Sequence, residues 1–164
     1  MRATAAVLCT MAGVGMLIAS TSHRSGLRLI YNASDSAPRG FYTVSSPSPL
    51  RLGDFVVARL PEESSQLAAE RGYLPRSVPV LKQIAAMGGQ RVCIQHGWVY
   101  IDGTAVASTL QTDGQSRRLA AWNGCRQLMD HELFLLNPFN PASFDSRYVG
   151  PLDASFVLGV ATRW

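Results

Sequence analysis

The sequence predicts a mainly β domain with one short helix, preceded by a single apolar segment long enough to cross a bilayer. Three observations carry this prediction. Short runs rich in Val, Ile, Phe and Tyr recur along the chain, each closed by Gly, Pro or Asn, as in strands joined by tight turns. Only Pro61 to Gly72 has proline and acids at its start and glycine at its end, which is a helix signature. The 164 residues, 47% apolar and 16% charged, are enough for one buried core and too few for two catalytic domains.

Taken in order, residues 1–22 form a first unit. Ala3 to Ser22 carries no formal charge and is bounded by Arg2 and by His23-Arg24. As a helix rising about 1.5 Å per residue it reaches about 30 Å, the depth of a bilayer core. Its Val7, Leu8, Met11 and Ile18 are diluted by Ala, Gly and Thr, so an uncleaved membrane anchor and a cleaved signal segment both fit. Arg2 on one side is matched by Arg24 and Arg28 on the other, and charge does not select an orientation.

Residues 23–164 form the second unit. Phe55 to Arg59 follows the turn-forming Leu52-Gly-Asp54, and Val80 to Ala85 alternates so that Val80, Lys82 and Ile84 share one face. Arg91 to Gln95 and Trp98 to Ile101 flank His96-Gly97 as a hairpin, and Asp102-Gly103 marks the next turn. Glu132 to Leu136 and Phe156 to Ala161 complete the predicted strands. Ser45 to Pro49 and Thr109 to Arg118 are polar or Pro-containing enough to be loops.

Several function classes drop out. The net charge is +4, yet the basic residues are scattered apart from Arg117-Arg118, which argues against a nucleic-acid surface. His23, His96 and His131 are far apart, and neither Cys-x-x-Cys nor His-Glu-x-x-His occurs, so no metal site is expected. No phosphate-cradling glycine loop or Gly-x-Ser-x-Gly elbow is present, and no cofactor is expected. Cys93 and Cys125 are either a disulfide, which needs an oxidising compartment, or two separate thiols.

One count points to chemistry. Of 15 basic residues only Lys82 is lysine. Arginine supplies a plain positive charge, but its guanidinium does not give up a proton, whereas a desolvated ammonium does. Lys82 is therefore a candidate general base, and its logical partner is a serine. In Ser36-Ala37-Pro38 the proline pushes Ala37 away from helical geometry, which would hold the Ser36 hydroxyl on an extended segment. Ser34, two residues earlier, would point to the same side and could donate where negative charge develops. A third polar segment, Asn137 to Pro151, follows the apolar Leu133 to Leu136. Within it Asp145 and Arg147 either form a structural ion pair or orient the lysine through Ser143.

Four segments in order, namely Ser36-Ala-Pro38, Gly53-Asp-Phe-Val-Val-Ala-Arg-Leu-Pro61, Leu81-Lys-Gln-Ile-Ala-Ala-Met-Gly-Gly89 and Ser143-Phe-Asp-Ser-Arg-Tyr-Val-Gly150, resemble the consecutive boxes of the type I signal peptidases, the S26 family. They span Ser34 to Gly150. Pro38-Arg-Gly-Phe-Tyr42, Trp122-Asn-Gly-Cys125 and Ser143-Phe-Asp-Ser-Arg-Tyr148 are most similar to the conjugative-transfer branch of that family. The resemblance implies a signal-peptidase-like β domain, and a Ser/Lys endopeptidase held in the bacterial inner membrane by residues 3–22, with its active site in the periplasm. It implies Ser36 as nucleophile, Lys82 as general base, and Ser34 with the Ser36 amide as oxyanion hole. Ser143 would orient the lysine, with Asp145 and Arg147 in support. The implied substrate is the propilin of a conjugative pilus, its new C-terminus joined to its own N-terminus. A leader peptidase acting on exported preproteins and a non-catalytic assembly factor of a secretion channel are the competing readings. Two positions depart from the family pattern: Gly89-Gln90 stands where the family has Gly-Asp, and Asn137-Pro-Phe-Asn-Pro141 replaces a longer glycine- and asparagine-rich lead-in.

Overall fold

A computed structural model of the chain describes residues 28–35 and 37–164; the apolar segment 3–22 and Ser36 lie outside the described residues. Alternating apolar runs and turn residues fold into two antiparallel sheets. The larger sheet contains β1 (Arg28–Asn32), β2 (Gly40–Ser45), β3 (Phe55–Ala58), β4 (Val80–Met87), β9 (Glu132–Leu136), β10 (Leu152–Asp153) and β11 (Val157–Arg163). Their spatial order is β1-β2-β11-β3-β4-β9-β10. The smaller sheet, ordered β7-β6-β5-β8, is built from β5 (Arg91–Gln95), β6 (Trp98–Ile101), β7 (Thr104–Ser108) and β8 (Cys125–Gln127). Helix α1 (Glu62–Glu70) lies between β3 and β4 in sequence, and the single-turn helix α2 (Ser146–Val149) follows β9. Among the described residues no helix is long and apolar enough to cross a membrane.

The strand that carries Lys82 sits between β3 and β9, with Lys82 opposite Val56. Both faces of β4 are covered, since Leu81, Lys82, Ile84 and Ala86 are all buried. A register shift between Ile84 and Ala86 bends the strand, and it passes from one core to another there. Ile84 packs with Val56, Leu133, Leu135, Leu152 and Val157. Ala86 packs with Phe134, Leu136, Val92, Val99 and Ile101, where the two sheets meet. A third cluster, containing Tyr42, Val44, Val57, Leu81 and Ala161, also takes in Ala37, next to the candidate nucleophile. Each fully buried aliphatic or aromatic side chain contributes roughly 1.5–3 kcal/mol, so the strand carrying Lys82 is held by buried clusters on its neighbours.

The predicted helix, the β5–β6 hairpin around His96-Gly97, and strands β3, β4, β9 and β11 form close to the predicted limits. Strands β1, β2, β7, β8 and β10 are additional. The first is largely exposed along its length, so it has no buried face for a pattern to reveal. The three residues of β8 are strand only because β5 pairs with them, with Cys125 in register with Cys93. Those two sulfurs are bonded.

Candidate active site

Lys82 is 3% exposed, and its ammonium donates to Ser143 Oγ at 2.5 Å. Burial pushes its pKa down from the ordinary lysine value of 10.5 to about 8; the Asp145 carboxylate pulls it up and the Arg147 guanidinium pushes it down. The two members of the neighbouring ion pair thus act in opposite directions at the lysine, and desolvation, the largest effect, decides the direction.

That ion pair is held from all sides. Asp145 caps α2, accepting from the Arg147 backbone N–H, and its carboxylate also receives Arg147 Nε at 2.8 Å and Nη2 at 2.7 Å. Asn137 donates its backbone N–H to the same carboxylate at 3.0 Å. Arg147 is fully buried, and it donates further to the carbonyls of Ser108, Asn137 and Asn140. A buried pair is tolerated when its remaining hydrogen-bonding capacity is met in this way. The consequence is positional: one guanidinium fixes the 137–140 loop, and the Asn140 carbonyl in turn accepts the backbone N–H of Ser143, the lysine's partner.

The loop leaves α2 at Gly150, where φ is +78° and an added Cβ would lie 2.9 Å from the Trp122 ring. Only glycine suits both conditions. Trp122 also donates its backbone N–H to the Arg147 carbonyl at 2.7 Å, tying the Trp122-Asn-Gly-Cys125 segment to the site.

On the nucleophile side, Ser34 donates its backbone N–H and its hydroxyl to Asn32 Oδ1, the latter at 2.9 Å. Asn32 Nδ2 donates to the carbonyls of Ser34 and Ala37 at 3.0 and 2.9 Å. Tyr42, whose hydroxyl donates to the Pro38 carbonyl at 2.6 Å, closes the segment from below. Ser34, Lys82 and Ser143 line one cleft of about 520 Å³. Asp145 and Arg147 stand behind it, and the Cys93–Cys125 bond belongs to the smaller sheet. Among the described residues no group of His, Cys, Asp and Glu could hold a metal.

The far wall of the cleft was not legible in the sequence. Arg71, Tyr73, Asp113 and Arg117 line it. Tyr73 Oη donates to Asp113 at 2.5 Å and Arg117 Nε at 2.7 Å. Arg71 donates to the Arg118 carbonyl and Arg117 to the Arg71 carbonyl, so the end of α1 is pinned to the 109–118 loop. Burial pushes the Asp113 carboxyl up, but hydrogen bonds from Tyr73, Arg117 and Gln115 outweigh it and hold the group well below the usual range. Asn137 and Asn140 were not legible, because their partner, the Asp35 carbonyl, is brought to them by the fold; Asn32 bonds only nearby residues, Ser34 and Ala37 among them. Gln90, where the family has an acid, takes over the turn: its Oε1 accepts the Met87 N–H and its Nε2 donates to Asp102, whose carboxylate also accepts the Arg91 N–H.

Residues 1–164 match the family described as signal peptidase, peptidase S26. The chain is 35% identical over 162 residues to a probable conjugal transfer protein TraF of Sinorhizobium fredii, covering 93% of this chain and 82% of that one. It is 36% identical over 146 residues to a conjugal transfer protein TraF of Agrobacterium tumefaciens, covering 83% and 80%. Among solved structures, a signal peptidase I from Enterococcus faecalis V583 is matched at 18% identity with a TM-score of 0.43, over 70% of this chain and 98% of that one.

Proposed function

We propose that this chain, which belongs to the S26 family of signal peptidases, is a membrane-anchored Ser/Lys endopeptidase of a conjugative system that processes and cyclises a propilin. The observation that carries the reading is the sole lysine of the chain, buried at the base of the cleft with its pKa brought down to about 8. A lysine so poised is neutral often enough near physiological pH to accept a proton.

In the proposed mechanism neutral Lys82 takes the proton of Ser36 Oγ, and the alkoxide adds to the substrate carbonyl. The Ser36 N–H and the Ser34 hydroxyl, whose proton turns from Asn32 Oδ1 to the cleft, receive the developing oxyanion. Collapse breaks the C–N bond, and the proton held by Lys82 passes to the leaving amine. Ser143 holds the lysine amine in line through these transfers. An amine or water, whichever is held closer, then attacks the ester on Ser36 as Lys82 takes its proton; the acyl C–O bond to Ser36 breaks and the proton returns to Ser36 Oγ. An amine tethered beside the ester reaches an effective concentration of about 10⁵ M or more when well oriented.

Two features support a place at a lipid surface. Residues 3–22 are uncharged. On β1, β2 and beyond the end of β11, Leu29, Tyr31, Phe41 and Trp164 are exposed, with the Tyr31 and Phe41 rings 5.0 Å apart and the Trp164 backbone bonded to Phe41. The conjugal-transfer relatives support a role in conjugation, within which the pilin is the proposed substrate.

The test is intact-mass analysis of the pilin precursor produced in membranes with the full chain, with Ser36→Ala, or without either. A product one water lighter than the cleaved linear chain and lacking a free N-terminus is expected only with the active chain. A linear product with an open N-terminus would replace cyclisation by leader-peptidase hydrolysis. Processing by Ser36→Ala would overturn the peptidase mechanism itself.

A further inference from the structure

The one doublet of arginines in the chain, Arg117-Arg118, has no part in the mechanism above. The fold brings Arg117 beside Arg71, and both guanidinium groups line the wall of the cleft that lies across from Ser34 and Lys82. The carboxylate of that wall is Asp113, whose side chain is 5% exposed, against 24% for Arg71 and 34% for Arg117. Both of its oxygens are filled. Oδ1 accepts the backbone N–H groups of Gln115 and Arg117, and Oδ2 accepts Tyr73 Oη and Arg117 Nε. One sequestered negative charge thus stands against two positive ones, and what the wall shows to the cleft is guanidinium. The other carboxylate that lines the cleft, Asp35, is paired with Arg39 at 3.0 Å.

The two guanidinium groups are fixed but not used up. Arg71 Nη1 donates to the Arg118 carbonyl at 2.9 Å, and Arg117 Nη2 donates to the Arg71 carbonyl at 2.9 Å. Among the described residues, Arg71 Nε and Nη2 and Arg117 Nη1 have no acceptor. Arg71 therefore keeps its Nε–Nη2 edge, the fork that grips a carboxylate through two parallel bonds. Leu60, Leu74, Val80 and Leu119 line the same cleft, and in apolar surroundings a charge-assisted hydrogen bond is stronger than in water. We propose that Arg71, with Arg117 beside it, is a specificity-determining site for a carboxylate, so that the peptide this cleft takes carries one, on an Asp or Glu side chain or at a chain end, close to the bond that is cut. Lys82 does not compete for that carboxylate in its neutral, working form. The inference deepens the proposed function and rests on this cleft being the peptidase site.

The test uses the full chain in detergent and internally quenched peptides spanning the bond cut in the pilin precursor. Each position flanking that bond carries Glu or Gln in turn, and every peptide is made with a free and with an amidated C-terminus. At one position Glu is expected to exceed Gln in kcat/KM by about 10- to 100-fold, the range of a hydrogen bond to a charged group. The same gain for free acid over amide would instead identify a chain end as the source of the carboxylate. The ratio is taken within one preparation, so a partly unfolded variant lowers both rates alike and leaves it in place. Arg71→Gln should bring the ratio near one, and Arg71→Lys, which keeps the charge without the fork, should give an intermediate value. Added salt should reduce the ratio in the wild type. Wild-type ratios near one at every position and at the chain end would overturn the proposal, and so would a preference that survives Arg71→Gln. A wild-type chain that cuts neither the peptides nor the precursor, or a Ser36→Ala variant that does, would refute the peptidase reading instead.

Discussion

Lys82 illustrates how one residue trades stability for reactivity. Its ammonium is buried, and its pKa of about 8 means that folding holds the charged form less well than the unfolded chain does. The sign follows: the cost is complete below about pH 8 and fades as pH rises toward the ordinary lysine value of 10.5. Lys82→Met is therefore expected to be inactive yet more stable at pH 7, by roughly 1–4 kcal/mol, with the gain shrinking toward pH 10. Thermal melts at the two pH values check this, and a Met variant less stable at pH 7 would refute the cost of burial. Composition alone singles out Lys82 as a candidate, a lone lysine among arginines, and the fold buries it against the cleft. Asn137 was not legible, because an asparagine's role lies in the carbonyl it meets, and for Asn137 that carbonyl is supplied by the fold.

The cleft is made by how elements are tied together. Helix α1 and the 109–118 loop form its far wall only because Asp113 gathers Tyr73 and Arg117. The Asp113 pKa is lowered, so its contribution to stability is present above the ordinary aspartate value, about 4, and is lost as pH falls through the lowered one. Asp113→Ala should accordingly lower Tm at pH 7; since Asp113 lines the cleft away from Lys82, the proposed function predicts a raised KM with kcat held. An unchanged KM would show that the wall is not part of the binding surface. The sequence revealed α1 through its proline, acids and glycine, and β3, β4, β9 and the β5–β6 hairpin through apolar runs between turn residues. It did not reveal β1, whose side chains are mostly exposed, or β8 and β10, which are three and two residues long and exist through their partners.

At the scale of the whole molecule, the fold brings Ser34 and Asp35, Val80 and Lys82, and Asn140 to Phe144 to one cleft, although they are far apart in the chain. The order of the boxes was readable; their convergence was not, because it depends on β4 lying between β3 and β9. The smaller sheet supports this arrangement from beneath, and the Cys93–Cys125 bond, spanning 32 positions, secures its edge strand β8. On the chain-entropy estimate such a closure stabilises by roughly 3–4 kcal/mol. Reductant is expected to lower Tm while leaving the pH profile of activity in place, since neither sulfur belongs to the cleft. A Tm indifferent to reductant would remove the bond from the account.

The central claim is that Lys82 works by becoming neutral. The most direct measurement is the pH dependence of kcat/KM for pilin processing by the full chain and by Lys82→Arg, which keeps the charge and cannot release it. The rate should rise with pH through about 8 in the wild type and be absent at every pH in the arginine variant. A wild-type rise displaced to the range of an exposed lysine, or measurable turnover by Lys82→Arg, would contradict it.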